Sequence, residues 1–502
     1  MKILIFILSC FFITCLANDK TIFTMIHFRH GARAPVMNEN SDNFGEQWDN
    51  PGELTGIGER MHYLLGYRNR MRYIKEKKLL SEKFNIDELL IISTKVNRTI
   101  MSLLSHLQGL YPQKKNLGYF LNENQLNNSN PPIYLNYTEI QEKITELKNY
   151  SLPDSMTVIP FEIRYSTRSY YLYMDNGCIG ESKLFNSSLT NNTSSVVDEF
   201  NEKYAKIIDE FHGKKAHNYS LYELSSICDT LIATYTEGKN MTEFKKTGIN
   251  VEELNTFCIK AIKYLFSDYL IRGDEMIFLE GSIVMDLLIN YAKMSIDADI
   301  NNSNSSSSNP KILIFSGHDT TVTKQQLFLF QALGLDINTY YRFPTYASQI
   351  AFEVSRKDDD KKNRNYSDYF VNYYFNDEHI LNISADEFIN KIEPNIWSEE
   401  KINTFCGYNS DNNSNNSSNT NNSAENNNST DGNNNNNNIE NNNNSYIYFP
   451  RKKQKTYKAP FIVFVSLFGV SLIGNLILIA LLLRKNTAPH IRMDSTVMKN
   501  LK

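Results

Sequence analysis

Three short stretches of the chain carry side chains whose types suit work on an anion. In residues 21–35 (TIFTMIHFRHGARAP), Ile22, Phe23, Met25, Ile26 and Phe28 make a mostly apolar run, and Arg29, His30 and Arg33 stand where it breaks at Gly31 and Pro35. A guanidinium presents a rigid donor fork that matches phosphate oxygens, so two of them flanking an imidazole suit a dianion. The imidazole is itself a nucleophile able to attack phosphorus and to carry the group covalently. Residues 88–99 (ELLIISTKVNRT) put Arg98 at a strand-to-helix junction, where backbone N–H groups and the helix dipole favour anions. Residues 311–321 (KILIFSGHDTT) end an apolar run on His318 and Asp319. Taken singly, these have plain structural readings: a basic surface loop, a helix-opening arginine, and a helix N-cap with a histidine beside it.

The elements that must hold these residues follow from the patterning. The apolar runs at 22–28, 88–94 and 312–315 read as buried strands, and ligands of open α/β sheets bind where strands end. Thr55 is placed to cap a helix whose Ile57, Met61, Leu64 and Leu65 share one face. Arg98 opens another, with Ile100, Leu103, Leu104, Leu107 and Leu110 as its core stripe. Residues 115–268 turn polar, irregular and helix-rich. The clearest helical spacing there runs through Val196, Val197, Phe200, Tyr204, Ile207, Ile208 and Phe211. Residues 346–348 and 350–354 read as a further strand.

The string RHGARAP fits the RHGxRxP motif of the histidine acid phosphatases, a branch of the histidine phosphatase superfamily, and the chain resembles that family. STKVNRTIMS is similar to the family block STDxDRTxMS, GHDTT is a common form of its HD motif, and the helix start at residues 54–62 resembles its LTxxGxxxH. The three blocks occur in the family's order, and the resemblance covers roughly residues 21–406. It implies an α/β fold: a mixed-sheet core with helices on both faces, an inserted, mostly helical cap at about 115–268, and a domain spanning 18–407. It implies His30 as nucleophile, Arg29, Arg33, Arg98 and His318 as the phosphate clamp, and Asp319 as the acid that protonates the departing alcohol. Activity should then favour acid pH, and no metal or cofactor is required. Lys95 and Asn97 stand where the family commonly has acids, so the outer rim of the pocket differs. Gln349 stands where relatives often have a cysteine. Homodimers are frequent in the family. The expected substrates are small phosphate monoesters or phosphoproteins, with a phytase-like enzyme and a non-catalytic surface glycoprotein as the alternatives.

The formal net charge of −4 over 502 residues gives no sign of nucleic-acid binding, and aromatics at 12% suffice for a sizeable core. There is no CxxC, HExxH or Gly-rich phosphate loop. Residues 1–17 read as a secretory signal, with Lys2 before an apolar run and Cys15-Leu16-Ala17 at the cleavage position. Cys178, Cys228, Cys258 and Cys406 remain after cleavage, an even number that suggests two disulfides with three possible connectivities. With the cap implied by the family, Cys228 and Cys258 fall on two of its helices and pair as a local staple. The resemblance then implies Cys178 with Cys406, a long-range bridge of a kind common in the family. Asn-X-Ser/Thr sites such as Asn136, Asn186, Asn218 and Asn365 suit a glycosylated exported protein. Residues 408–450 are an Asn/Ser-rich stalk too poor in apolar residues to fold. Residues 459–483 are mostly apolar and uncharged, long enough for one bilayer span, and a short tail follows at 484–502. The expectation is a type I membrane protein of the lysosome, endosome or cell surface with its catalytic part non-cytosolic. The basic residues 451–458 run against the positive-inside tendency, but the tail is basic too.

Overall fold

A computed structural model describes residues 19–407 except 37–43, 45–47, 49, 114–117, 130, 132–136, 164–177, 181–182, 184–194, 266–273, 302–308, 360 and 362. All described residues belong to one compact unit, Met1–Ser414; a second unit, Asn415–Lys502, lies outside them. The expected signal, stalk, membrane span and tail therefore also lie outside the described residues, among which no helix is long and apolar enough to cross a membrane.

Seven strands form one mixed sheet: β1 (Asp19–Arg29), β2 (Leu89–Ser93), β3 (Glu162–Ile163), β4 (Ile312–Gly317), β5 (Gln349–Lys357), β6 (Tyr369–Phe375) and β7 (Glu378–Ser384). Their order is β3-β2-β4-β1-β5-β6-β7. The pairs β3·β2, β2·β4 and β4·β1 are parallel, and the rest antiparallel. Successive side chains of a strand point to opposite faces, and both faces of the parallel half are covered. Phe23 and Met25 of β1 join Leu313 and Phe315 of β4 in one apolar cluster, which takes in helices α7 (Asp274–Ile300), α8 (Asp319–Leu333) and α9 (Ala385–Ile392). Ile26 and Phe28 join Ile312 and Ile314 in the cluster on α2 (Asn97–Leu110). This double burial is why those strands read as continuous apolar runs.

Residues 162–163, within the range expected as cap, lie in the sheet as β3, and the chain leaves the sheet between β3 and β4. There α3 (Ser195–Phe200), α4 (Lys206–Phe211), α5 (Leu221–Thr236) and α6 (Val251–Lys263) build an apolar core of their own around Phe200, Leu224, Phe244, Leu254 and Phe257. The helix expected at 196–211 is interrupted by a π turn at Asn201–Ala205. Disulfides join Cys228 of α5 to Cys258 of α6, and Cys178 to Cys406 at the end of α10 (Glu399–Cys406).

One expected helix face is wrong and another holds except at one position, for a common reason. Helix α1 (Gly56–Asn69), capped by Thr55, buries Gly58, His62, Gly66 and Asn69, not the leucine face, and Leu64 is 54% exposed. On α2, Leu103, Leu107 and Leu110 are buried, but Leu104 is 45% exposed. The two helices approach so closely that a Cβ on Gly66 would lie 1.9 Å from the His106 carbonyl oxygen, and one on Gly109 would lie 2.0 Å from that of Tyr63. Backbone contact at that range needs glycine on both sides, so Leu64 and Leu104 turn outward.

Candidate active site

The parallel strands bring the three sequence stretches together at their C-terminal ends. β1 and β4 are neighbours in register, Arg29 opposite Gly317, so His30 and His318 leave the sheet side by side with ring centroids 5.6 Å apart. The His30 amide donates to the Gly317 carbonyl at 3.0 Å, and the Thr94 amide, past the end of β2, donates to that of Ser316 at 3.2 Å. Arg98 is in the first turn of α2, where its Nη2 donates to His318 Nδ1 at 3.4 Å. Asp319 starts α8 and its Oδ2 lies 2.7 Å from Arg29 Nη2.

Glycine at 31 has a packing cause. A Cβ there would lie 2.5 Å from the Gly58 carbonyl oxygen, and one on Gly58 would lie 2.2 Å from that of Ala32. The loop after β1 is thus pressed onto the first turn of α1. Ser102 of α2 accepts from the Gly31 amide at 3.1 Å, and His62 Nε2–H donates to the Arg29 carbonyl at 3.0 Å. These contacts fix the backbone on both sides of His30.

His30 Nδ1–H donates to the Gly31 carbonyl at 2.8 Å, which leaves the Nε2 lone pair for a nucleophile's role. His30 is 2% exposed. Burial first, then the charges of Arg29, Arg33 and Arg98, hold its pKa well below the usual histidine value, so it stays neutral in acid. His318 is shifted the same way, by burial and then by Arg98, Arg33 and Arg29. Burial opposes the charge of Arg33, but Asp229 more than offsets it, and the net shift is upward.

Two participants were not legible in the sequence. Asp229 of α5 pairs with Arg33 through two bonds, Oδ1 to Nη2 at 2.8 Å and Oδ2 to Nη1 at 3.1 Å, and also accepts from the Val36 amide at 2.9 Å. Nothing around it in sequence marks it except its place next to Cys228. Tyr346 is the other: the residues expected as strand at 346–348 form a turn, with Ala347 at φ 56°, and β5 starts at Gln349. The turn sets the Tyr346 ring 4.5 Å from the Arg29 guanidinium, a cation–π contact. In β5, the Gln349 side chain accepts from the Asn69 amide at 2.9 Å inside the core.

The profile of the histidine phosphatase superfamily (branch 2) matches residues 18–376. The chain belongs to that superfamily. Among its relatives, the lysosomal acid phosphatase of Xenopus laevis is 25% identical over 369 residues, 72% of this chain and 71% of the relative. The prostatic acid phosphatase of Homo sapiens is 24% identical over 381 residues, 72% of this chain and 79% of the relative. Among solved structures, the apo phytase of Hafnia alvei aligns with a TM-score of 0.48 at 13% identity, covering 76% of this chain and 98% of that one. In this histidine phosphatase, Arg29, Arg33, Arg98, His318 and Asp319 line one cleft, together with Asp229 and Tyr346 on its walls, and the buried His30 ring lies against those of His318 and Tyr346.

Proposed function

We propose that the chain is an acid phosphatase that hydrolyses phosphate monoesters through a phosphohistidine. The observation that carries this is the buried His30, tied through Nδ1 to the Gly31 carbonyl and held neutral by burial and by the charges of Arg29, Arg33 and Arg98 at the ends of adjacent parallel strands. His30 Nε2 attacks phosphorus and the ester P–O bond breaks. Arg29, Arg33, Arg98 and His318 hold the phosphoryl oxygens as their charge redistributes. Asp319 gives its proton to the departing alkoxide. Water then attacks phosphorus, the P–N bond breaks, and Asp319 takes the water's proton as phosphate leaves. An incoming phosphoryl group competes with Asp319 for Arg29 and with Asp229 for Arg33, so binding frees the acid from its ion pair.

The wider reading rests on the sequence. It takes the chain as a type I membrane protein with a cleaved signal at 1–17, a phosphatase domain at 18–407 with its cap at about 115–268, a stalk at 408–450, a span at 459–483 and a tail at 484–502. The catalytic part is luminal or extracellular, in lysosomes, endosomes or at the cell surface. Two disulfides and the asparagine sequons suit that compartment. The test is rapid quench of the protein with labelled substrate. Acid-labile, alkali-stable label that disappears in His30→Ala is expected, and label on serine or aspartate would overturn the assignment.

A further inference from the structure

The cleft extends beyond the phosphate clamp, and its outer part has a chemistry of its own. We propose that it is a leaving-group subsite for a small, uncharged, mainly apolar alcohol bearing one hydrogen-bond donor, seated between cap isoleucines and Phe343 and read by Asn255. This rests on the phosphatase reading above.

Charge limits the ligand to one phosphoryl group. Three arginines face two carboxylates, Asp229 and Asp319, and among the described lining residues there is no lysine. With Asp319 protonated, as its role as the acid requires, the set carries two net positive charges and one dianion balances it. A second phosphate, carried on the leaving group, meets no further cation among the described lining residues and meets the Asp229 carboxylate, which Arg33 keeps ionised despite its burial.

Shape and polarity define the rest. Beyond the arginines, the apolar walls are Ile232 of α5, Ile259 and Ile262 of α6, and Phe343 from the loop before β5. Ser225, Ser226, Thr236, Thr320 and Thr345 line the cleft between and beside them. The four apolar residues are only half-buried, so each leaves apolar surface uncovered. A volume of about 320 Å³ is at the lower end for ligand sites. It accommodates a phosphoryl group and a single ring, not a long acyl chain.

Asn255, Ile259 and Ile262 follow one another at i, i+4 and i+7, a single face of α6. The Asn255 side chain lines the cleft, and its Oδ1 is buried with no hydrogen-bond partner among the described residues. A buried acceptor without a donor is unfavourable until something supplies one. A hydroxyl or N–H on an otherwise apolar leaving group does so, and an analogue lacking it leaves the cost in place.

The test uses the purified full-length protein with methyl, benzyl and 3-hydroxybenzyl phosphate. All three release alkoxides of similar basicity, so the demand on Asp319 is matched. In the wild type, kcat/KM for benzyl phosphate should exceed that for methyl phosphate by about tenfold or more, and the hydroxybenzyl ester should be better still. Ile262→Ser should lower the benzyl value about tenfold, with a much smaller fall for methyl phosphate, which does not reach it. Asn255→Leu should abolish the hydroxybenzyl advantage and keep the benzyl one. Equal wild-type values for benzyl and methyl phosphate overturn the subsite, as does faster turnover of inositol hexakisphosphate than of benzyl phosphate. Hydrolysis of none of the esters instead overturns the phosphatase reading. The wild-type ratios decide the matter even where a variant fails to fold.

Discussion

The buried histidine beneath the loop after β1 sets a pH dependence of stability that can be worked out. His62 is 0% exposed, its ring 4.9 Å from Phe28, with Nε2–H bonded to the Arg29 carbonyl. Its Nδ1 is buried with no partner among the described residues. Burial pushes its pKa down to about 3, and the single hydrogen bond to the Arg29 carbonyl raises it only in part. In the unfolded chain the group titrates near 6.5. The unfolded state therefore binds the proton first as pH falls. Stability is whole above pH 6.5 and is lost progressively from there toward pH 3. At pH 5 the unfolded form has gained about 1.5 pH units of proton binding at 1.36 kcal/mol per unit, so His62 alone costs about 2 kcal/mol relative to pH 7.5.

His62→Gln keeps an N–H near the Arg29 carbonyl and removes the titration. Loss of ring packing should make the variant less stable at pH 7.5 by about 1–2 kcal/mol. Urea unfolding of both proteins at pH 7.5 and 5.0 should show the wild type losing about 2 kcal/mol more than the variant over that interval, so that the gap closes or reverses in acid. Parallel losses in the two proteins would show that His62 is not held neutral by the fold, and the argument from burial would be wrong.

Gly66→Ala must push α1 away from α2, because the added methyl meets the His106 carbonyl; it should destabilise by about 1–3 kcal/mol in urea, and a neutral result would contradict that close approach. Asp229→Ala leaves the Arg33 charge largely buried without its carboxylate, so unfolding free energy at pH 7 should fall by about 3 kcal/mol, whereas an unchanged midpoint would make the pair a surface one in energetic terms. Asp319→Asn should lose most of a roughly 10²–10⁴-fold factor on alkyl phosphates and much less on nitrophenyl phosphate in single-turnover phosphorylation; equal slowing of both would assign Asp319 to positioning and the acid to another residue. Ending the chain before residue 459 should yield a secreted, active protein, and its retention in membranes would remove the proposed span.

The sequence by itself determined β1, β2 and β4 and the residues at their ends. Phe23, Met25, Ile26 and Phe28 had to be buried on both sides, and a run of that kind is central and parallel, which makes Arg29, His30, His318 and Asp319 neighbours once β1 and β4 pair. Motif and apolar run are local, and a local signal survives in a linear string. Only the tertiary structure decided how α1 and α2 meet. The helical spacing of Ile57, Leu64 and Leu65 pointed to an apolar face, but backbone contact at Gly66 and Gly109 outweighed it, because side chains must leave where backbones touch. It also decided the walls of the cleft. Asp229 reaches Arg33 across 196 residues of chain, and Tyr346 reaches Arg29 only through a turn at Ala347. A carboxylate or a ring has no periodic partner in the sequence. What it will neutralise or cover is set by which helix packs over which strand end, and that is a property of the folded chain alone.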